Sequence, residues 1–170
     1  MPTSNPITVE VESRIEAAPE RVWELASDIT VPARFSGELQ RVEWNDGATQ
    51  PHVGARFTGH NSNPRIGEWS TTSEVVEVAA PHSFVWQVLG PEEPVATWRF
   101  DLVPESLETT LLRHRVRTGP GHTPLDEFIA NNPEKKDKAL RAREEALRTN
   151  MRATVDGIRE VCEGEAPFRR

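Results

Sequence analysis

Tyrosine is absent from this 170-residue chain, and cysteine occurs once, at Cys162. The first absence removes any phenol from a functional site. The second rules out an internal disulfide and any zinc site built on several cysteines. Cys162 sits late in a helical pattern, where it reads as a small core residue rather than a nucleophile. No apolar run reaches the roughly 18 residues of a membrane-crossing helix. The opening stretch, MPTSNPITVEVES, lacks a basic segment followed by an apolar one, so the expectation is a cytoplasmic protein without a secretory signal. Positive charge is also scarce: Lys and Arg total 20 against 27 Asp and Glu, a formal net charge of -7. That balance argues against a nucleic-acid partner, which would normally meet a basic face. It also gives no polybasic reason to sit on an anionic membrane. G-x-S-x-G, HExxH, phosphate-loop and dinucleotide fingerprints are all missing. His52 and His60 lie too far apart on a strand to make a metal site by themselves. Neither a metal nor a cofactor is expected.

What is present is a strong alternation. The length fits one domain, residues 1–170, with a core over about 7–163 and a flexible tail at 164–170. Ile7, Val9, Val11, Ser13 and Ile15 face one way and Thr8, Glu10, Glu12, Arg14 and Glu16 the other, the pattern of a half-buried antiparallel strand. Pro19 and Glu20 then open a helix, because proline suits the first helical position and an acid suits the positive end of the helix dipole. Val22, Leu25 and Ala26 share one of its faces, with Trp23 beside them. Pro32 opens a second short helical turn carrying Phe35, ended by Gly37. Six strands follow: Leu39 to Asn45, Val53 to His60, Ile66 to Val78, Ser83 to Leu89, Val95 to Val103 and Leu107 to Thr118. The breaks between them carry turn residues such as Asp46-Gly47 and Gly90-Pro91. The segment from Gly119 to Pro133 reads mostly as loop, with Thr123-Pro124 capping one short turn. A long helix comes last, with Asn132 as N-cap and Pro133 as its first residue. Leu140, Leu147, Met151, Thr154, Ile158 and Val161 form a single apolar stripe along it. Gly157 interrupts this helix, either to allow close approach to the sheet or as a tolerated weak point.

An antiparallel sheet and an amphipathic helix each have one surface to bury. The expected fold is therefore α+β: a seven-stranded antiparallel sheet curled around a long C-terminal helix, with two short helices after the first strand.

The words of the sequence point the same way. "VEVESRIEAAPERVWELASDI" carries Ile15, Ala18, Pro19, Glu20, Val22, Trp23 and Asp28. "HVGARFTGHN", "SEVVEVAAPHSFVWQV" and "ATWRFDLVPESLETTLLRHRV" follow it. Together they resemble the START/Bet v 1-like superfamily, in particular its polyketide cyclase/dehydrase and lipid-transport group. The resemblance covers nearly the whole chain and implies a helix-grip fold with an elongated cavity between sheet and helix. It also implies a small hydrophobic or aromatic ligand, polyketide- or lipid-like, in a monomer or homodimer. The alternative it implies is a cyclase, aromatase or dehydratase working through cavity histidine and arginine. Members of that kind commonly use a tyrosine in the cavity, which this chain does not have.

Alternation selects the candidate wall of such a cavity, expected to be apolar with a few polar anchors. Phe57, Gly59 and Asn61 share one strand face. Phe84, Trp86 and Val88 share another, as do Ala96, Trp98 and Phe100. Leu147, Met151 and Thr154 come from the helix. Each aromatic among them can equally be plain core filling. Phe35 is the candidate at the cavity mouth, bordered by the Gly119–Pro133 segment acting as a lid or as a plain connection, while Trp23 belongs to a structural plug. His114 shares its face with Leu112 and Val116 and is the candidate acid or base; the alternative is a core histidine with one satisfied hydrogen bond. Arg113, Arg115 and Arg117 point the other way, as a solvated row paired with acids of a neighbouring strand. Arg56, Thr58 and His60 fall on the face opposite Phe57, and only a reversed strand would bring Arg56 and His60 inward.

Overall fold

The structure, a computed structural model, describes residues 2–164, so the expected tail lies outside the described residues except for Gly164, which closes the last helix. The elements in order are β1 (Thr8–Ile15), α1 (Pro19–Ala26), α2 (Val31–Phe35), β2 (Leu39–Trp44), β3 (Arg56–Asn63), β4 (Gly67–Ala79) and β5 (Ser83–Val88). They continue with β6 (Ala96–Ser106), β7 (Thr109–Thr118), α3 (Pro124–Asn131), a 3-10 turn (Pro133–Lys135) and α4 (Lys136–Gly164). The seven strands form one antiparallel sheet in the order β1-β7-β6-β5-β4-β3-β2. The first two strands are its two edges, and α1 and α2 carry the chain from one edge to the other. This is the expected helix-grip architecture.

Local chemistry explains the elements. Pro19 opens α1, which buries Val22, Leu25 and Ala26 and stops where the Ser27 hydroxyl turns back to donate to the Trp23 carbonyl at 2.7 Å. On α4 the buried face is Leu147, Met151, Thr154, Val155, Gly157, Ile158 and Cys162. That face lies on the sheet and on α1 and α2. Two arginines of α4 finish the exposed edge of β1. Arg148 donates to the Glu10 carbonyl at 3.4 Å and Arg152 to the Glu12 carbonyl at 2.8 Å. Edge carbonyls left open invite pairing with another chain, and these two are closed from within.

Two expectations are corrected. Gly119 to Pro133 is not mostly loop: α3 occupies Pro124–Asn131 behind a full capping box, in which Thr123 and Asp126 each bond the other's backbone N–H. Two reciprocal bonds at the helix start outweigh the glycine and proline content around it. The last helix also does not begin at Pro133. A 3-10 turn comes first, and the Asn132 side chain donates backward to the Phe128 carbonyl at 3.0 Å instead of capping forward.

Asp126 does more than cap. Its carboxylate also accepts from Thr3 Oγ1 at 2.9 Å and from Asn5 Nδ2 at 2.7 Å, tying the N-terminal segment to α3. Burial alone would raise its pKa. The bonds from the Thr123 amide, Asn5, Thr3 and the Thr123 hydroxyl override that and bring it to about 2.

Candidate functional site

Strand alternation places one side of β3, β5 and β6 toward α4, and a cavity of about 130 Å³ lies between them. Phe57, Gly59 and Asn61 of β3, Trp86 of β5, Trp98 and Phe100 of β6, and Leu147 and Met151 of α4 all line it, as the alternation predicts. Phe84, Val88 and Thr154 join them, whereas Ala96 lies outside the wall. Arg56 and His60 stay on the outer face. Arg56 pairs with Glu74 at 2.9 Å and His60 with Glu43 at 2.7 Å. On the same outer side, Arg113 pairs with Glu12 at 2.9 Å.

Burial orients the cavity. Phe84, Phe100, His114, Met151 and Thr154 are almost inaccessible and form its closed end, while Glu38, Leu39, Asn61 and Asn150 are half-buried and form its mouth. The closed end is aromatic. Trp86 lies 6.2 Å from Trp98 in a parallel stack, 5.3 Å from Phe84 and 5.9 Å from Phe100. Trp23 meets Phe84 edge-on from behind, at 6.4 Å and 82°, and does not itself line the cavity. Offset and edge-on arrangements of this kind add about 0.5–1.5 kcal/mol per pair beyond area burial.

His114 stands within this aromatic set. Its ring stacks on Phe100 at 3.9 Å and 7°, and lies 5.4 Å from Trp98. Nδ1 is 3.0 Å from the Arg99 carbonyl. A carbonyl only accepts, so Nδ1 carries the proton and Nε2 carries the lone pair. Burial lowers the imidazole pKa to about 4, with the Arg99 bond opposing that in part. The ring is neutral at physiological pH. Among the described residues no fully enclosed side-chain nitrogen or oxygen lacks a partner. Nε2 has no protein partner, so it reaches the cavity space. Ser73 Oγ is placed by the same reasoning.

Phe35 is not at the mouth. Its ring lies over Gly157, where an added Cβ would come within 2.3–2.6 Å of ring atoms. Gly157 therefore admits α2 rather than the sheet, and Phe35 seals that contact while its neighbours Pro32 and Ser36 face the cavity. The segment from Gly119 to Pro133 contributes nothing to the lining; Asp126 holds it to the N-terminal segment ahead of β1. It does not border the opening as a lid.

Several lining residues escaped the sequence reading. Thr71 and Ser73 of β4 carry the right alternation with Val75, but a bulge between Val75 and Glu77 breaks the pattern that would have exposed it. Asn150 lies one turn before Thr154 on α4 and shares its face, a signal the apolar stripe concealed. Glu38 comes from the turn after α2 and Leu39 is the first residue of β2, where a strand's alternation has only begun. Gly59 has a concrete role: a Cβ there would sit 3.2 Å from Leu39, so the absent side chain lets Leu39 lie across the sheet.

Residues 6–163 match the profile of a family described as polyketide cyclase / dehydrase and lipid transport. The chain belongs to that family. Solved structures agree on the fold. A polyketide-cyclase-like protein from Corynebacterium glutamicum is 27% identical, with a TM-score of 0.67 over 96% of this chain and 95% of that one. The Zhui aromatase/cyclase from a Streptomyces species superimposes with a TM-score of 0.68 at 15% identity, covering 97% of this chain and 99% of that one. One half of the two-domain aromatase/cyclase StfQ, from the steffimycin biosynthetic pathway, gives 0.72 at 13% identity, over 94% of this chain and 51% of that one. No curated protein matches the sequence. Within the described residues, no helix of this family member is long and apolar enough to cross a membrane.

Proposed function

We propose that this protein binds a small aromatic or hydrophobic molecule, polyketide- or lipid-like, in the cavity between the sheet and α4. The observation that carries the reading is the closed end itself: a single neutral histidine set in a ring of Trp86, Trp98, Phe84 and Phe100. Binding sites for small molecules are mostly apolar with a few placed polar groups. An apolar cavity of about 150 Å³ holds a benzene ring. At about 130 Å³ this cavity is close to the size of one ring, and a chain carried on that ring extends past Glu38 and Asn150.

The alternative, a cyclase, aromatase or dehydratase, draws on the same His114 Nε2. Its electrostatics favour carriage over proton transfer. General acid–base groups work best with a pKa near the operating pH. His114 has a carbonyl behind it rather than a carboxylate, and its pKa of about 4 makes it a weak base at neutral pH. The arginine expected to assist is not in the cavity: no arginine lines it among the described residues.

Native mass spectrometry of protein purified from its own host tests the reading. A retained small molecule, released by denaturation, is the expected result. No retained molecule, together with no thermal shift across polyketides, fatty acids and flavonoids, refutes it. Turnover that disappears in His114→Ala while ligand affinity persists would establish the enzymatic alternative.

A further inference from the structure

The ionisable groups facing the cavity are few and of one kind. Apart from His114 they are Asp28 and Glu38, both carboxylates. Asp28 accepts from the Thr30 amide and hydroxyl at 2.9 and 2.6 Å. At the mouth Glu38 holds Arg143 of α4 in a two-pronged pair at 2.9 and 3.0 Å, and also accepts from Asn63 at 3.1 Å. The guanidinium that could have greeted an anion is thereby spent on the protein's own carboxylate. At the closed end the Arg99 carbonyl fixes the His114 tautomer so that Nε2 offers a lone pair and no proton. Around it stand aromatic rings, which supply no counter-charge.

We infer that the cavity selects ligands by charge: it takes an uncharged ring bearing an O–H or N–H donor, read by His114 Nε2, and rejects the corresponding carboxylate. This rests on the binding reading above and narrows it. A ligand hydroxyl at the closed end satisfies a nitrogen that otherwise has no protein partner. A ligand carboxylate there meets a second acceptor, loses its water and finds no cation. At the mouth Glu38 already occupies Arg143, so no cation there is left to receive it, and the Asp28 carboxylate on the cavity wall disfavours a second negative charge.

The test uses three compounds of one shape: 4-propylphenol, propylbenzene and 4-propylbenzoate. Each is titrated calorimetrically into the full-length protein at neutral pH. The phenol is expected to bind about tenfold or more tighter than the benzoate, and tighter than propylbenzene. His114→Phe, which keeps the aromatic packing, should abolish the advantage of the phenol over propylbenzene. Glu38→Gln releases Arg143 at the mouth and should narrow the ratio of phenol to benzoate affinity. Equal or tighter binding of the benzoate overturns the charge selection while leaving the cavity as a binding site. Retention of the phenol's advantage in His114→Phe overturns the assignment of Nε2. If none of the three binds, the cavity reading fails for one-ring ligands and the selection fails with it.

Discussion

Gly157→Ala is the substitution for which sequence and structure give opposite signs. In an exposed helix, alanine is favoured over glycine by about 1 kcal/mol. Gly157 is buried, and a Cβ built there lies 2.3, 2.4 and 2.6 Å from Cδ1, Cγ and Cε1 of Phe35. Those atoms are the root and flank of a rigid ring, not the free end of a flexible chain. The ring and α2 must move away, and overpacking of this kind costs about 1–3 kcal/mol. The expected net effect is a destabilisation of roughly 1 kcal/mol. Equilibrium unfolding in urea, followed by tryptophan fluorescence, should show a midpoint lowered by about 0.5 M with an unchanged slope. The mechanism has its own control. In a Phe35→Ala background the clash is gone, so Gly157→Ala should become neutral or stabilising. The double-mutant cycle should return a coupling of about 1 kcal/mol or more. A Gly157→Ala protein more stable than the parent, with Phe35 present, would refute the argument.

Further predictions follow from the same structure. Because His114 has a native pKa of about 4 against 6.5, the unfolded chain binds the extra proton first; its contribution is complete above pH 6.5 and is lost as pH falls toward 4. The loss is about 3 kcal/mol in all, and His114→Phe should flatten the stability profile across that window. The carboxylate of Asp126, lowered from 3.8 to about 2, supplies stability that is present above pH 3.8 and fades only below it, so its loss falls in a separate, more acidic range. Asp126→Asn should cost about 2 kcal/mol at neutral pH, by loss of charge-assisted bonds, and should speed hydrogen exchange in the N-terminal segment that Thr3 and Asn5 anchor. Trp86→Ala, which removes the ring central to the aromatic wall, should weaken a co-purifying ligand by about tenfold without changing the sheet's circular-dichroism signature.

Alternation and spacing determined much by themselves. A strand's side chains switch faces with a period of two, so the valines of β1 and the aromatics of β3, β5 and β6 announced which side was buried. The proline start of α1, the α4 stripe and the element order followed from equally local rules. His114 was legible for the same reason, as a polar residue on an apolar face. Periodicity tells which face is inside but not which neighbour waits there. Only the tertiary structure decided that Phe35 packs on Gly157, that the Arg99 carbonyl fixes the His114 tautomer and that Glu38 occupies Arg143. Each of these joins residues of different elements through a distance or a hydrogen bond that no periodicity encodes. Asp126 is the sharpest case: read alone it is an acid in the first turn of a short helix, and its grip on Thr3 and Asn5 exists only once α3 has been brought against the N-terminal segment.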